Sequence, residues 1–265
     1  MHKKEKVILL GDSITQGLGS KKVNFTQALQ NKLGGNYIVE NMALTGTTIL
    51  YAREILHSVI SHKPKYVVIL YGNVDAQIRP NRQGVIFPYI PGRFRKNGML
   101  MPRPFYSHSF IKRLGQKIDN SLRKLFSSVI YKVDGSEQWV EIDTFSATYN
   151  FVVNKLLEAG IQVIACSTVF IDEKLFHGSL SQYKKFNKAI AAMADNYHFI
   201  YVDLLAPLEK AVKHSGWDAF YNYDHFHPKS GGYELIADIL AQQIHHTPKV
   251  GEREFYGKVD KKLHI

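Results

Sequence analysis

Near the two ends of the chain lie the residues with the clearest potential for chemistry. Ser13 follows Gly11 and Asp12 directly after a short apolar run, and Asp224 precedes His227 by three positions. On a loop, a carboxylate at this spacing can accept a hydrogen bond from the imidazole Nδ1–H, which leaves Nε2 free to take the proton of a serine hydroxyl. The two blocks therefore predict a nucleophile, Ser13, a general base, His227, and an orienting carboxylate, Asp224.

Each block also has a purely structural interpretation. Asp12 and Ser13 are residue types that commonly cap helices. His225 and His227 could cap the helix that follows them, or form a metal pair two positions apart. The combination favours catalysis, because a nucleophile needs a base and a base needs a group that orients it.

Acyl transfer further requires donors for the negative oxygen of its intermediate. Two candidate segments, residues 41–46 and 71–73, follow the second and third apolar runs of the chain. Considered singly, Gly46 suits a turn and Asn73 suits the end of a strand. Their joint occurrence in this order favours donors for an acyl-transfer site.

Short β-branched runs alternate along the chain with longer segments of helical period, which predicts a parallel sheet with helices on both faces. In such open sheets, ligands bind at the carboxyl ends of the strands, so all four blocks are expected at one edge of the sheet. The predicted strands are 7–10, 37–41, 66–71, 162–168 and 199–203, and the predicted helices are 25–33, 48–61, 140–159, 181–197 and 231–245.

Residues 76–138 interrupt this alternation after the third strand, and we call them the insertion. They follow Asn73 closely, so we expect them to form a lid or a wall for the substrate. The first half is rich in Pro, Gly, Arg and aromatic residues, which predicts an irregular loop. The second half predicts a basic amphipathic helix. Its apolar stripe comprises Ile111, Leu114, Ile118, Leu122, Leu125 and Val129, with Lys112, Arg113, Lys117, Arg123 and Lys124 largely between them.

The positive charge of the chain is concentrated in this insertion. Residues 79–132 hold 12 of the 34 Lys and Arg residues but one of the 23 acids, Asp119, so the other 22 bases and 22 acids balance. Cations interleaved with aromatic rings suit an anionic glycan. A basic amphipathic helix suits an anionic membrane face or a lipid-linked substrate. Alternatively, the apolar stripe packs on the core and the charges form a solvated face. Nucleic acid is disfavoured, because no recognition motif accompanies the basic segment.

The length of 265 residues and a hydrophobic content of 45% fit one globular domain over residues 1–265. The single cysteine, Cys166, excludes an internal disulfide. The apolar run after the basic start is too short for a signal peptide or a membrane span, so a cytoplasmic protein is expected, although a partner could hold it at a membrane. No metal or cofactor is expected, because the 12 histidines do not cluster with acids or cysteines at ligand spacing. The oligomeric state is left open.

Together these blocks resemble those of the SGNH, or GDSL, hydrolase family. Residues 11–14 (Gly-Asp-Ser-Ile) match its nucleophile block, Gly46 and Asn73 its oxyanion blocks, and Asp224 with His227 its closing block. The resemblance covers the core but not the insertion. It implies a flavodoxin-like three-layer α/β/α sandwich with a five-stranded, mostly parallel sheet. It also implies an oxyanion held by the backbone N–H groups of Ser13 and Gly46 and by the side-chain amide of Asn73.

One block departs from the family pattern. The family usually has Gly-x-Asn-Asp, whereas here Val74 stands where that Asp is expected and Asp75 follows one residue later. The amide of Asn73 is kept, but the packing behind it must differ. The candidate substrate-binding residues near the blocks and at the start of the insertion are Asp12, Tyr71, Arg79 and Arg82.

The resemblance implies a serine esterase that acts on a small-molecule or glycan ester. We expect it to remove small acyl groups, acetyl above all, from a sugar or polysaccharide intermediate. One alternative is a lipolytic hydrolase or an acyltransferase for longer acyl chains. Another is a catalytically silent protein that binds glycans or membranes. No Gly-x-Ser-x-Gly elbow occurs, which argues against the other large esterase fold.

Overall fold

A five-stranded parallel sheet forms the centre of the protein, whose computed structural model describes residues 4–20, 23–96 and 100–246. The strands in chain order are β1 (Glu5–Gly11), β2 (Tyr37–Asn41), β3 (Tyr66–Leu70), β4 (Ile78–Pro80), β5 (Ser136–Gln138), β6 (Gln162–Cys166) and β7 (Ile200–Val202). The sheet has the order β2-β1-β3-β6-β7, and all its neighbouring pairs are parallel. This is the flavodoxin-like order, which confirms the expected fold class.

Helices cover both faces of this sheet. They are α1 (Ser13–Gln16), α2 (Phe25–Leu33), α3 (Ile49–Ser61), α4 (Phe110–Val133), α5 (Ile142–Glu158), α6 (Ser179–Tyr197), α7 (Leu205–Ser215), α8 (Trp217–Phe220) and α9 (Ser230–His246). α2 packs against α9, whereas α5 packs against α3 and α6. Right-handed crossovers place these two groups on opposite faces of the sheet.

The two central strands show why the sheet is buried. All residues of β3 and residues 7–11 of β1 are buried, and most are β-branched or leucine. Such continuous apolar runs are typical of parallel strands that are covered on both faces. The core therefore lies on both faces of β1 and β3. The polar residues of the candidate site follow the carboxyl ends of these strands.

The sequence-based boundaries are close to those in the structure, with identifiable differences. β2 and α2 have the predicted bounds, whereas β3 ends at Leu70 and β6 at Cys166, earlier than predicted. α7, α8 and the two strands of a small antiparallel sheet, β4 with β5, were not predicted. Three-residue strands and the single turn of α8 are too short to show a hydrophobic period, whereas α7 has 11 residues and was missed because it follows β7 directly.

The insertion is joined at its base and carries one long helix. β4 pairs with β5, so that Ile78 lies opposite Gln138 and Arg79 opposite Glu137. Between them, two 3-10 turns (Phe87–Tyr89 and Gly92–Phe94) interrupt an otherwise irregular loop that precedes α4. The predicted loop and helix are therefore both present.

The orientation of α4 corrects one of the expectations for its apolar stripe. Ile111, Leu114 and Ile118 are 82%, 53% and 56% exposed, so this part of the stripe does not pack on the core. The face that packs on the protein instead includes Arg123 and Ser127, which are both buried. The reason is that polar partners in the insertion bind this opposite face.

No helix in the described parts of the chain is long and apolar enough to cross a membrane. The polar tail that begins after α9, residues 247–265, lies outside the described residues.

Candidate active site

Ser13 is the first residue of helix α1, which begins in a tight turn directly after β1. Asp12 is the N-cap of α1, and its Oδ1 accepts a hydrogen bond from the Ile14 backbone N–H at 2.9 Å. Gly11 has no room for a side chain, because a Cβ there would lie 2.7 Å from the carbonyl oxygen of Leu70. The close approach of β1 to β3 thus requires glycine before the serine.

The closing loop brings His227 to this serine. Ser13 Oγ lies 2.8 Å from His227 Nε2, and His227 Nδ1 lies 2.5 Å from Asp224 Oδ2. The other carboxylate oxygen of Asp224, Oδ1, accepts backbone hydrogen bonds from Phe226 at 3.2 Å and from His227 at 3.1 Å. Asp224 is only 2% exposed, so these donors compensate for the burial of its carboxylate. The three side chains form one continuous hydrogen-bonded chain.

Asn222 holds the closing loop in place. Its backbone N–H and its side-chain Nδ2 both donate to the carbonyl oxygen of His227, at 2.9 and 2.8 Å. Nδ2 also lies 3.1 Å from the carbonyl oxygen of Gly19, which follows α1. A single buried amide therefore joins the loop of the base to the segment after the serine, a role that no motif in the sequence indicated.

His225 is a second anchor of the same loop. Its Nδ1 lies 2.7 Å from Asp172 Oδ2, and its ring stacks on Trp217 with the centroids 4.5 Å apart. The residue adopts a positive φ of 50°, which is uncommon outside glycine, so these contacts hold an unfavourable backbone conformation. Asp172 lies 53 positions away, and this distance explains why the sequence did not predict the pair.

Asn73 has one side-chain atom bonded and one unpaired. Its Oδ1 accepts a hydrogen bond from the Val169 N–H at 2.8 Å, and its carbonyl oxygen accepts one from the Tyr183 hydroxyl at 2.5 Å. Its Nδ2 is buried and has no acceptor in hydrogen-bond geometry among the described residues, although the amide is close enough to Asp12 to lower the pKa of that carboxyl, which burial raises. A buried donor without a partner is costly, which makes it available to an acceptor that arrives with a ligand.

Gly46 lies on the loop between β2 and α3 with a φ of 76°, a conformation that favours glycine. It is exposed, and a Cβ at this position would meet no atom within 4 Å. Backbone geometry, not a lack of space, is therefore what the glycine satisfies.

Asp75 explains how the block around Asn73 can depart from the family pattern. Its Oδ1 accepts a hydrogen bond from the Ile49 N–H at 2.8 Å and its Oδ2 accepts one from the Gly72 N–H at 3.0 Å. Burial raises the pKa of its carboxyl to about 7, although these two N–H donors oppose the rise. The acid displaced by one residue thus joins the start of α3 to the turn before Asn73, while Val74 packs in the core.

The candidate substrate-binding residues fall into two pairs. Asp12 and Tyr71 are fully buried, and burial raises the pKa of Asp12 to about 6 against the opposing effects of the Ile14 N–H and His227. Arg79 and Arg82 both form ion pairs with Glu137 of β5, at 2.8 and 2.9 Å. Within residues 4–20, 23–96 and 100–246, no group of three or more His, Cys, Asp and Glu residues could hold a metal ion.

This arrangement can perform nucleophilic acyl transfer. The imidazole can accept the Ser13 proton at Nε2 while the Asp224 carboxylate holds its Nδ1–H, which fixes the tautomer and stabilises the imidazolium. The unpaired Asn73 amide is a donor of the type that stabilises an oxyanion. These are the groups that ester hydrolysis through an acyl-serine requires.

Comparisons with known proteins identify the fold and the family of the chain. Solved structures with a similar fold include Axe2, an acetylxylan esterase from Geobacillus stearothermophilus, with a TM-score of 0.60, 17% identity and coverage of 91% of this chain and 94% of Axe2. They also include the lipase/acylhydrolase from Enterococcus faecalis, with a TM-score of 0.58, 18% identity and coverage of 91% of this chain and 95% of that protein. No curated protein sequence matches the chain. The model of the GDSL-like lipase/acylhydrolase family matches residues 9–235, from within β1 to within α9. The chain therefore belongs to the GDSL-like lipase/acylhydrolase family.

Proposed function

We propose that the protein is a serine esterase that removes small acyl groups, acetyl above all, from a carbohydrate, with Ser13 as nucleophile, His227 as general base and Asp224 as the orienting acid. The observation that carries this proposal is the hydrogen-bonded chain from Ser13 Oγ through His227 to Asp224. Ser13 is drawn from one end of the chain and the other two from its far end. Proton transfer explains why these three side chains are in contact, whereas no structural role for the contact is evident.

The reaction proceeds in two halves. As Ser13 Oγ attacks the ester carbonyl carbon, its proton passes to His227 Nε2, and the carbonyl oxygen becomes an oxyanion. The backbone N–H groups of Ser13 and Gly46 and the Asn73 amide are the proposed donors to that oxyanion. The intermediate collapses, and the imidazolium protonates the departing alcohol. His227 then takes a proton from water as its oxygen attacks the acyl-serine, and it returns that proton to Ser13 Oγ as the carboxylic acid is released.

A cavity beside the closing loop, lined by Asn222 but not by Ser13 or His227, offers a surface on which the alcohol part of a carbohydrate ester could bind. It has a volume of about 490 Å³, and its lining includes Phe105, Tyr106 and Tyr223. Tyr106 and Tyr223 contact each other edge to face with their centroids 5.2 Å apart, and Tyr223 is 64% exposed. Exposed aromatic rings offer apolar faces on which a sugar ring can stack, and Lys229 in the same lining offers a cation for an acidic sugar.

The structurally similar esterase Axe2 supports the roles proposed for Ser13, Asp224 and His227. Axe2 is described as an acetylxylan and acetyl-xylooligosaccharide esterase, and its catalytic mutants replace a serine, an aspartate and a histidine by alanine. In Axe2 the aspartate precedes the histidine by three positions. Asp224 and His227 have the same separation here.

A longer acyl chain is the second candidate, because the exposed apolar stripe of α4 could contact lipid. A series of p-nitrophenyl esters from acetate to palmitate separates the two candidates. Highest kcat/KM on acetate favours the carbohydrate acetylesterase, whereas an optimum at eight carbons or more favours lipolysis.

The cytoplasmic location stays a prediction.

The proposal is tested by labelling the nucleophile. A fluorophosphonate should add one phosphonyl group to Ser13, located by peptide mass spectrometry, and Ser13→Ala and His227→Ala should lower kcat on p-nitrophenyl acetate on the order of 10⁴-fold or more. Ser181→Ala, at an exposed serine of α6, is the matched control and should retain wild-type turnover. Absence of label from Ser13 in an enzyme that hydrolyses esters would refute its role as nucleophile.

A further inference from the structure

Helix α4 presents its apolar side to solvent, the reverse of the usual orientation of a helix packed on a globular protein. At 3.6 residues per turn, the exposed apolar residues fall along one side of the helix. Along the 24 residues of α4, seven apolar side chains are each more than one third exposed. We call these residues the α4 stripe: Phe110, Ile111, Leu114, Ile118, Leu125, Val129 and Val133.

Polar contacts fix this orientation. Asp119, on the opposite side, accepts a hydrogen bond from Arg103 at 2.9 Å, and Arg123 donates one to the carbonyl oxygen of Met101 at 3.4 Å. Ser127 Oγ donates to the carbonyl oxygen of Leu100 at 2.8 Å, and Ile130 is fully buried in a small apolar cluster. Turning the helix to bury the stripe would break these contacts and expose Ile130. The stripe is therefore a stable feature of the fold.

The cations of α4 lie next to the stripe, and within the described parts of the chain no acid pairs with the five that are exposed. Lys112, Arg113, Lys117, Lys124 and Lys132 are all exposed. None of them forms a salt bridge within the described parts of the chain. The single acid of the helix, Asp119, is already occupied by Arg103 and Arg123. The outward side of α4 thus combines an apolar strip with a border of free positive charge.

We propose that the α4 stripe and its cations are a docking surface for an anionic lipid membrane. A helix of 24 residues is ~36 Å long, enough to lie flat along a membrane with its apolar side among the acyl chains. Its lysines can extend toward lipid phosphates while their methylene stems cover apolar surface. This surface lies outside the Ser13 site and does not depend on the esterase activity.

Charge decides between a membrane and a second copy of the chain. An isologous dimer through α4 would place the same cations of both copies against one another, with no acid on either helix free to pair with them. Anionic headgroups supply the missing negative charge, at about a fivefold gain in binding for each lysine near the surface.

The test is flotation of the purified protein with lipid vesicles. The wild type should bind vesicles of phosphatidylcholine with about a third phosphatidylglycerol, at least ~10-fold more strongly than pure phosphatidylcholine, and salt should weaken the binding. Lys117→Gln/Lys124→Gln and Ile118→Ser/Leu125→Ser should each lower the binding on the order of tenfold.

Two matched pairs serve as controls. Lys184→Gln/Lys188→Gln removes two exposed lysines of α6, and Ile38→Ser/Leu50→Ser removes two exposed apolar residues elsewhere. Both should bind vesicles like the wild type, and turnover of p-nitrophenyl acetate shows that each variant is folded. Lack of binding to anionic vesicles, or equal losses in the control pairs, would overturn the proposal. So would a wild-type dimer that Ile118→Ser/Leu125→Ser converts to a monomer, since the stripe would then be a self-interface.

Discussion

The carboxylate of Asp75 accepts a hydrogen bond from the backbone N–H of Ile49 at 2.8 Å. This bond joins the block around Asn73 to the start of α3. The second oxygen of Asp75 accepts a hydrogen bond from Gly72. Asp75→Asn would place an NH₂ group against one of these two donors. We expect the free energy of unfolding to fall by ~1.5–3 kcal/mol and kcat to fall as well, because the turn before Asn73 loosens.

A urea titration measures the free energy of unfolding. Turnover near neutral pH without denaturant measures kcat. Asp195→Asn, at an exposed position of α6, is the control and should change neither quantity. An Asp75→Asn protein with full stability and full turnover would show that the link between the two blocks has no role.

The unpaired amide of Asn73 allows a sharper test than truncation. Asn73→Asp keeps an oxygen that can accept the Val169 N–H but removes the Nδ2 donor. We expect kcat to fall on the order of 10²- to 10³-fold or more, because an oxyanion donor is lost and a negative charge replaces it.

The control is Asn187→Asp, since Asn187 is also buried and binds Thr168 through both side-chain atoms. It should lower the free energy of unfolding while kcat of the folded enzyme stays near wild type. If both variants lose turnover equally, the effect of Asn73 is structural.

Asp12 should make stability depend on pH. Burial raises the pKa of its carboxyl from 3.8 to about 6, so the folded protein binds this proton more tightly than the unfolded chain. The resulting stabilisation is complete below the unfolded pKa and is lost as the pH rises to about 6. Between about pH 4 and pH 7 we expect a loss of about 2 kcal/mol from this group.

The measurement is the free energy of unfolding of the wild type and of Asp12→Asn over that pH range. The wild-type value minus the variant value should decrease as the pH rises, because asparagine does not titrate. A difference that is constant with pH, or that increases, contradicts the predicted contribution of Asp12.

The ion pairs of Asp119 should matter more than surface pairs. Arg123 has a side-chain exposure of 6%, so Asp119→Asn would remove a carboxylate that pairs with a buried guanidinium. We expect the free energy of unfolding to fall by ~3 kcal/mol. Glu158→Gln, which breaks the exposed Lys155–Glu158 pair, is the comparison and should cost at most ~0.5 kcal/mol. Equal costs for the two substitutions would show that the inner side of α4 contributes little.

Much of the fold and of the candidate site could be inferred from local pattern. The buried runs of β1 and β3 are continuous and apolar, and they indicated a parallel sheet. Its flavodoxin-like order was implied by the family resemblance. Asp224 and His227 are three positions apart, so a short loop is enough to join them. Ser13 was identifiable because the carboxyl end of a parallel strand is where ligands bind.

Contacts between distant segments could not be inferred in this way. The Asp172–His225 pair, the Asn222 bonds to the segment after α1 and the double role of Asp75 depend on which loops the sheet brings together. The hydrophobic period of residues 110–133 indicated a helix, but it could not indicate which side faces the protein. That orientation was decided by the Arg103–Asp119 ion pair and by the hydrogen bonds of Arg123 and Ser127 to backbone carbonyls of the preceding loop. These contacts hold the polar side inward and leave the α4 stripe in solvent.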